Sequence, residues 1–217
     1  MASPPVGEAG YFPGVLFLLF GSSAAGKSHA LDELRTRGIA DLAIHDFDEI
    51  GVPVGADMAW RHGANEAWLR RGLDYQAEGV DLLLAGQTPL GEVLAAQSAP
   101  RFEAISACLI DCSDEVREAR LRARGTDWFE RVGGSMQDYV SWADWMRRHA
   151  TDPTWMPEVI RASGSTAEMQ WNRWSSWEAG DPRWRVQTEP LRESCRLQAL
   201  RGWGHDRDVE EVFARGS

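Results

Sequence analysis

Short apolar runs alternate with longer amphipathic stretches along the chain. A continuous apolar run bounded by polar or glycine-containing positions is typical of a buried strand. Such runs predict strands at residues 15–20, 42–45, 80–85, 104–110 and 184–187. Apolar positions three or four apart predict helices at residues 27–37, 58–78, 90–97, 115–124 and 190–199. Because strands that alternate with helices form parallel sheets, we predict a three-layer α/β/α sandwich around a five-stranded parallel sheet.

The chain of 217 residues is long enough for one domain with a substantial core. Residues 1–13 are rich in proline, glycine and small side chains, and we interpret them as a flexible leader. The domain is expected to occupy residues 14–203, followed by a C-terminal tail at 204–217. Further helix starts are indicated at Ser113, at Asp152–Pro153 and at Ser165–Glu168.

The charge balance argues against binding of a nucleic-acid backbone. The formal net charge is -10, whereas nonspecific binding to DNA or RNA depends on many basic side chains that displace counterions. Several arginines nevertheless lie between Arg117 and Arg131. An acidic protein with one local cationic site is therefore expected, with no nucleic-acid partner.

Neither export nor a membrane partner is indicated by the sequence. The longest apolar run, Val15–Phe20, is far shorter than the ~20 residues that a membrane-spanning helix needs, and the first ten residues carry no basic segment. Three cysteines and five histidines show no spacing typical of a zinc site. Reduced thiols of this kind suit a cytoplasmic protein.

Residues 21–28, G-S-S-A-A-G-K-S, match the phosphate-binding pattern G-x-x-x-x-G-K-[ST]. The glycines allow successive N–H groups to converge on phosphate oxygens, the lysine neutralises the β and γ phosphates, and the serine hydroxyl ligates Mg²⁺. A glycine- and serine-rich turn can match by chance, but this one lies between a buried strand and an amphipathic helix. We therefore predict ATP and Mg²⁺ as cofactors, with nucleotide contacts from Gly21, Ser22, Ser23, Ala24, Ala25, Gly26, Lys27, Ser28 and His29.

Two other classes of phosphate-loop protein are less favoured. No N-K-x-D segment of the GTPase type is present. Asp111 follows the apolar residues of a predicted strand, as an acidic residue does in motor ATPases, but it comes late, just before the arginine-rich helix. We interpret Asp111 as a residue that ends the strand or caps the helix.

The chain resembles the small P-loop kinases, a group that includes shikimate kinase, gluconate kinase, chloramphenicol phosphotransferase and the nucleoside monophosphate kinases. The resemblance rests on GSSAAGKS, on H-D-F-D after the second predicted strand, and on R-E-A-R-L-R-A-R-G before a glycine-interrupted segment. It spans about residues 14–200. It implies a P-loop NTPase fold with a helical lid and transfer of a phosphoryl group to a hydroxyl.

The resemblance implies roles for two aspartates at the end of the second strand. Asp48 would be the base or would orient the acceptor hydroxyl, and Asp46 would support Mg²⁺, although the two roles could be exchanged. Residues two apart on a strand share a face, and strand ends in a parallel sheet meet at one edge. The alternative is that both are solvated loop acids, or that Asp48 caps a helix.

Mobile cations are expected because phosphoryl transfer demands charge compensation around the transition state. The resemblance places Arg120 and Arg124 near the nucleotide, and Arg131 in a lid of about residues 125–155 that closes on it. Arg117 and Arg122 are expected to face solvent. An amphipathic helix with arginines for solubility is the competing interpretation.

The acceptor site is the least specified part. The resemblance places Arg61 where an acidic substrate is held, and Gln87, after the third strand, where a polar acceptor could be hydrogen-bonded; an ordinary turn is the alternative. Trp171, Trp174 and Trp177 are three residues apart, and we interpret this stripe as packing.

We thus predict an ATP-dependent kinase that phosphorylates a hydroxyl of a small molecule, a metabolite or an antibiotic-like compound. One alternative is a nucleoside or nucleotide kinase, for which Arg61, Arg70 and Arg71 could grip an acceptor phosphate. The other is an ATP-binding regulatory switch without an acceptor. The sequence does not specify the acceptor or the oligomeric state.

Overall fold

The computed structural model describes residues 15–152, 155–161, 167–171 and 184–191, the last segment as backbone only. The leader and tail predicted from the sequence lie outside these residues, as do Trp174 and Trp177. The prediction of a helix start at Ser165 also falls outside them.

A parallel sheet forms the centre of the molecule. Within the described residues it has the strands β1 (Val15–Phe20), β2 (Leu42–Asp46), β3 (Asp81–Gly86), β4 (Ala104–Ile110) and β5 (Trp184–Leu191), in the order β2-β3-β1-β4-β5. β1 pairs in parallel with β3 on one side and with β4 on the other. A central strand is buried on both faces, which explains why VLFLLF is continuously apolar.

Seven helices lie between and after these strands in the described part of the chain. They are α1 (Lys27–Arg37), α2 (Met58–Ala77), α3 (Leu90–Ala95), α4 (Asp114–Arg122), α5 (Thr126–Val132), α6 (Met136–Thr151) and α7 (Glu158–Arg161). The strand–helix alternation predicted from the sequence is confirmed. Ser113 caps α4 as predicted, because its side chain accepts from the Val116 N–H.

The two faces of the sheet have separate apolar cores. Leu16, Leu18 and Phe20 of β1 pack in the core that also contains Trp68 of α2 and Trp145 of α6. Leu19, on the opposite face, packs with Leu31 and Leu34 of α1 and with Leu83, Cys108 and Ile110 of the neighbouring strands. Side chains of a strand alternate between faces, so one apolar run supplies both layers of the sandwich.

Several sequence-based boundaries need correction. Asp152 is the C-cap of α6 and not a helix start, since its N–H donates to the Arg148 carbonyl. Pro190 lies within β5, whereas the sequence predicts that a final helix begins there. Pairing of β5 with β4 outweighs the local tendency of the sequence to start a helix at this residue.

The segment predicted to form a lid, about residues 125–155, contains two helices that differ in burial. α5 has no buried side chain and is flanked by Gly125 and Gly133, each with φ 82°. α6, by contrast, buries Trp145, Met146 and Ala150 against the sheet. Of the two helices, only α5 therefore lacks a buried apolar contact with the rest of the domain.

No helix among the described residues has the length and apolar character that crossing a membrane requires.

Candidate functional site

The loop between β1 and α1 has the backbone geometry of an anion cradle. Gly26, at the N-cap of α1, has φ 110°, and Ala24 has φ 61°. Gly21 is required for another reason: a Cβ there would lie 2.2 Å from the Ile110 carbonyl oxygen. Alternating backbone conformations of this kind turn successive N–H groups toward one side, next to the positive end of the helix dipole.

Lys27 points into this loop. Its Nζ donates to the carbonyl oxygens of Gly21, at 2.8 Å, and Ser22, at 3.0 Å. Burial lowers the pKa of Lys27 to about 8, although the nearby carboxylates of Asp46 and Asp48 act to raise it. Lys27 is also the only lysine of the chain. The other 22 of its 23 lysine and arginine residues are arginines. The compact ammonium group of lysine suits this position better than the planar guanidinium group of arginine.

α4 anchors the loop of residues 21–28, which matches the phosphate-binding pattern and is termed the phosphate loop. The guanidinium of Arg117 donates to the Ser22 hydroxyl and, at 2.7 Å, to the Ser23 carbonyl. Arg120 donates to the Ala24 carbonyl at 3.2 Å. Arginines that hold the carbonyl oxygens fix the peptide planes of the loop, and with them the directions of its N–H groups.

The prediction that Arg117 faces solvent is wrong, because its side chain is 0% exposed. Arg117 pairs with Asp111 at the end of β4. Arg147 of α6 donates to the other carboxylate oxygen of Asp111 at 2.5 Å and also pairs with Asp114. Asp111 thus ends β4, as one of the two interpretations predicts, and does not cap α4, whose cap is Ser113. Its carboxylate joins α4 to α6.

Two aspartates flank a sharp turn where β2 ends. The Asp46 side chain accepts from the Asp48 N–H at 3.0 Å and so caps the short 3₁₀ turn Phe47–Ile50. Helix α2 fixes this turn, since the indole N–H of buried Trp68 donates to the Phe47 carbonyl at 2.9 Å. The alternative in which Asp48 caps a helix is wrong, because Asp46 is the cap.

The carboxyl of Asp48 has a perturbed proton affinity. Burial raises its pKa, and the charge of Asp46 raises it further, whereas Lys27 acts in the opposite direction. Perturbation by desolvation together with specific charged neighbours, in a cleft, is a mark of functional carboxylates.

A cleft of about 710 Å³ opens at this edge of the sheet. Most residues predicted to act there line it: Ser23, Ala24, Gly26, Lys27, Ser28, His29, Asp46, Asp48, Arg61, Gln87, Arg120 and Arg124. Phe47, Val52, Trp60, Gly86 and Thr88 complete the lining. Segments that follow β1, β2, β3 and β4 therefore meet in one place.

Other predicted residues lie elsewhere. Arg131 is exposed on α5 and is not among the described residues that line the cleft. Gly21, Ser22 and Ala25 are buried beneath the loop. Arg70 pairs with Glu66, and neither it nor Arg71 is in the lining.

Arg61 is held in the cleft wall by several contacts. Its Nε donates to Glu92 at 2.8 Å, and one of its terminal nitrogens donates to the Gln87 carbonyl at 3.0 Å. The guanidinium lies 5.5 Å from the centre of the Trp142 ring. Burial raises the pKa of Glu92, while the charge of Arg61 lowers it.

The donors present fit a magnesium ion. Ser28 and Asp46 line the cleft beside the phosphate loop, and hydroxyl and carboxylate oxygens are the ligands that Mg²⁺ prefers. No group of three or more histidine, cysteine or acidic side chains in the described residues could hold a metal alone. Mg²⁺ typically takes only one or two protein ligands and completes its shell with phosphates and water.

Sequence reasoning missed Arg117, Arg147 and Glu92. For Arg117 a signal was present: it shares one face of α4 with buried Leu121, four residues on. For Arg147 and Glu92 no local pattern exists, since their partners are 36 and 31 residues away.

No protein-family model matches the chain, and no curated protein matches its sequence. Among solved structures, a chain of the Pnkp1/Rnl/Hen1 RNA repair complex is 13% identical with a TM-score of 0.46, over 63% of this chain and 46% of that one. A gluconokinase from Sinorhizobium meliloti 1021 is 14% identical with a TM-score of 0.37, over 78% and 98%. Deoxyadenosine kinase from M. mycoides is 11% identical with a TM-score of 0.30, over 86% and 97%.

These likenesses are distant. The chain spans less than half of the chain from the RNA repair complex, and at such TM-scores none of the three carries a conclusion about this protein.

Proposed function

We propose that the protein is an ATP- and Mg²⁺-dependent phosphotransferase of the P-loop kinase type, which moves the γ-phosphoryl group of ATP to a hydroxyl of a small molecule. One observation carries the proposal: the phosphate loop, with Lys27 in it, shares a single cleft with Asp46 and Asp48. A polyphosphate cradle opposite a carboxylate pair is what transfer to a hydroxyl requires.

In this account the phosphate loop binds the triphosphate through its N–H groups and Lys27 stabilises the charge that develops on the transferred group. Arg120 and Arg124, which line the same side, add positive charge around the phosphates. Ser28 and Asp46 would hold Mg²⁺, which would supply further neutralisation of the phosphate oxygens. Asp48 orients the acceptor hydroxyl and accepts its proton as the bond to phosphorus forms.

Two other interpretations have less support. A nucleotide kinase needs several cations around an acceptor phosphate, whereas Arg70 is engaged with Glu66 and Arg71 lies over the Trp68 ring, 5.4 Å from its centre. A switch without an acceptor needs no carboxylate pair facing the phosphates. The proposal also includes three expectations from the sequence. α5 would be a moving lid, Arg131 on it would act in catalysis, and the five-stranded sheet would be that of a P-loop fold.

The test offers the protein ATP and a panel of hydroxylated compounds. Phosphoryl transfer is measured by the release of ADP. Replacing Lys27 with Met is expected to lower transfer by about 10² or more, because it removes a principal charge stabiliser. Asp48→Asn is expected to lower transfer while ATP still binds. Transfer that survives Lys27→Met unchanged would contradict the proposal.

A further inference from the structure

The cleft has two halves with opposite charge character, set by the strand order. On the β4 side, Lys27, Arg120 and Arg124 line what we term the phosphate half. On the β2 and β3 side lies the acceptor half, whose described lining comprises Asp46, Phe47, Asp48, Val52, Trp60, Arg61, Gly86, Gln87 and Thr88.

Arg61 is the only cation in the described lining of the acceptor half, and its charge is compensated. Its partner Glu92 is 0% exposed and belongs to α3, behind the cleft wall. Asn65 also donates to Glu92, at 3.3 Å. A carboxylate this deeply buried, fixed by two donors, holds Arg61 in place and offsets its positive charge.

The remaining charges of the acceptor half are negative. Asp46 and Asp48 both line this half, and the charge of Asp46 raises the pKa of Asp48. A carboxylate or phosphate ester placed there would approach two carboxylates and one guanidinium already paired with Glu92. Like charges in such proximity oppose binding strongly in a partly desolvated site.

Apolar side chains form part of the remaining wall, together with Gln87 and Thr88. Val52 is 49% exposed and Trp60 is half-buried, and both line the cleft. The Trp60 ring meets the Phe47 ring edge to face at 6.2 Å, which fixes the indole. Aromatic and aliphatic side chains held in this way provide area for an apolar ligand face.

We propose that the acceptor is an uncharged hydroxyl compound with an apolar face, and that carboxylates and phosphate esters are excluded. The inference rests on the proposed function, since it concerns the acceptor of the same reaction. Arg61 is then a positioning residue that fixes the Gln87 turn, and not the residue that grips an anion.

The first experiment measures binding of inorganic phosphate to protein saturated with a non-hydrolysable ATP analogue and Mg²⁺, so that the phosphate half is filled. Wild-type protein is expected to bind phosphate at least about tenfold more weakly than Glu92→Gln, in which the amide keeps the hydrogen bond but uncovers the charge of Arg61. Glu118→Gln, which removes a partly exposed carboxylate paired with Arg122 outside the cleft lining, is the matched control and is expected to behave as wild type.

Phosphate binding by the wild type that equals binding by Glu92→Gln, and that disappears in Arg61→Gln, would overturn the inference. This comparison of wild type with Arg61→Gln remains decisive if Glu92→Gln fails to fold. Failure of the ATP analogue to bind would instead count against the proposed function, so the two failures are distinguishable.

The second experiment compares matched acceptors, glucitol with gluconate and adenosine with adenosine monophosphate, by ADP release and by competition with one another. The uncharged member of each pair is expected to have the lower KM, by about tenfold or more. A lower KM for the acid or phosphate member would overturn the inference.

Discussion

The two halves of the cleft are built in different ways. In the phosphate half the polypeptide backbone forms the site, and buried Arg117 together with Arg120 holds its carbonyl oxygens from behind. In the acceptor half, side chains form the site: Asp48 and Val52 are exposed, and Arg61 is held by Glu92. The phosphate half is therefore preorganised before any ligand arrives, whereas the acceptor half is shaped by groups that can be exchanged singly.

Because of this difference, the two halves are expected to tolerate different substitutions. A backbone cradle depends on φ values and close contacts, so small substitutions within it are expected to be costly. A wall made of separate side chains can change its specificity without a change of fold.

Arg117→Met is expected to have the largest effect on folding. It leaves Asp111 with one guanidinium in place of two and releases the Ser23 carbonyl, so the free energy of unfolding should fall by about 3 kcal/mol and ATP should bind more weakly. Chemical denaturation and ATP titration measure both quantities. Arg122→Met, on the same helix but 65% exposed, is the control and should change stability by less than about 0.5 kcal/mol. Equal effects of the two variants would contradict the anchoring role of Arg117.

Gly21→Ala tests the backbone of the phosphate half. The new Cβ would lie 2.2 Å from the Ile110 carbonyl oxygen, so β1 and β4 must move apart or the loop must shift. The expected cost is about 2 kcal/mol of stability, with a weaker affinity for ATP.

Gly63→Ala in α2 is the matched control for that substitution. No atom lies within 4 Å of a Cβ built at Gly63, and the residue is exposed in a helix. Alanine favours helix more than glycine does, so this variant should be up to about 1 kcal/mol more stable than wild type. A stable Gly21→Ala protein with normal ATP affinity would contradict the close-packed account of the loop.

The smallest expected effect concerns pH. The proposed role of Asp48 requires an ionised carboxylate, and its pKa is raised by partial burial in the cleft and by the charge of Asp46. Activity should therefore be lost as pH falls through a value above the ordinary range of an aspartate. Asp46→Asn removes one cause of the shift, so the acid limb of kcat/KM should move to lower pH, whatever happens to the maximum rate.

Asp127→Asn, an exposed carboxylate on α5, serves as the control for the pH profile. It should leave the acid limb where it is. An acid limb that Asp46→Asn does not move would exclude Asp48 as the titrating group.

The sequence predicted the phosphate half of the cleft far better than the contact that holds Arg61 in the acceptor half. The bounds of β1 and α1 agree with the predictions, and Lys27, Ser28, Asp46 and Asp48 meet in one cleft, because a motif and the ends of parallel strands are local information. Glu92 could not be foreseen as the partner of Arg61. That contact depends on how α2 and α3 pack. The spacing of apolar residues along the sequence does not show which helices pack against each other.

The most direct test of the central claim uses the fact that Lys27 is the only lysine in the chain. Amine-directed labelling, read by peptide mass spectrometry as a function of pH, reports on this single side chain apart from the N-terminus. In nucleotide-free protein the reactivity of Lys27 should rise around its pKa of about 8, since burial lowers that value. With ATP and Mg²⁺ the ammonium should be protected and its pKa raised by the phosphates. Labelling of Lys27 that saturating ATP leaves unchanged would contradict the claim that this loop holds a triphosphate.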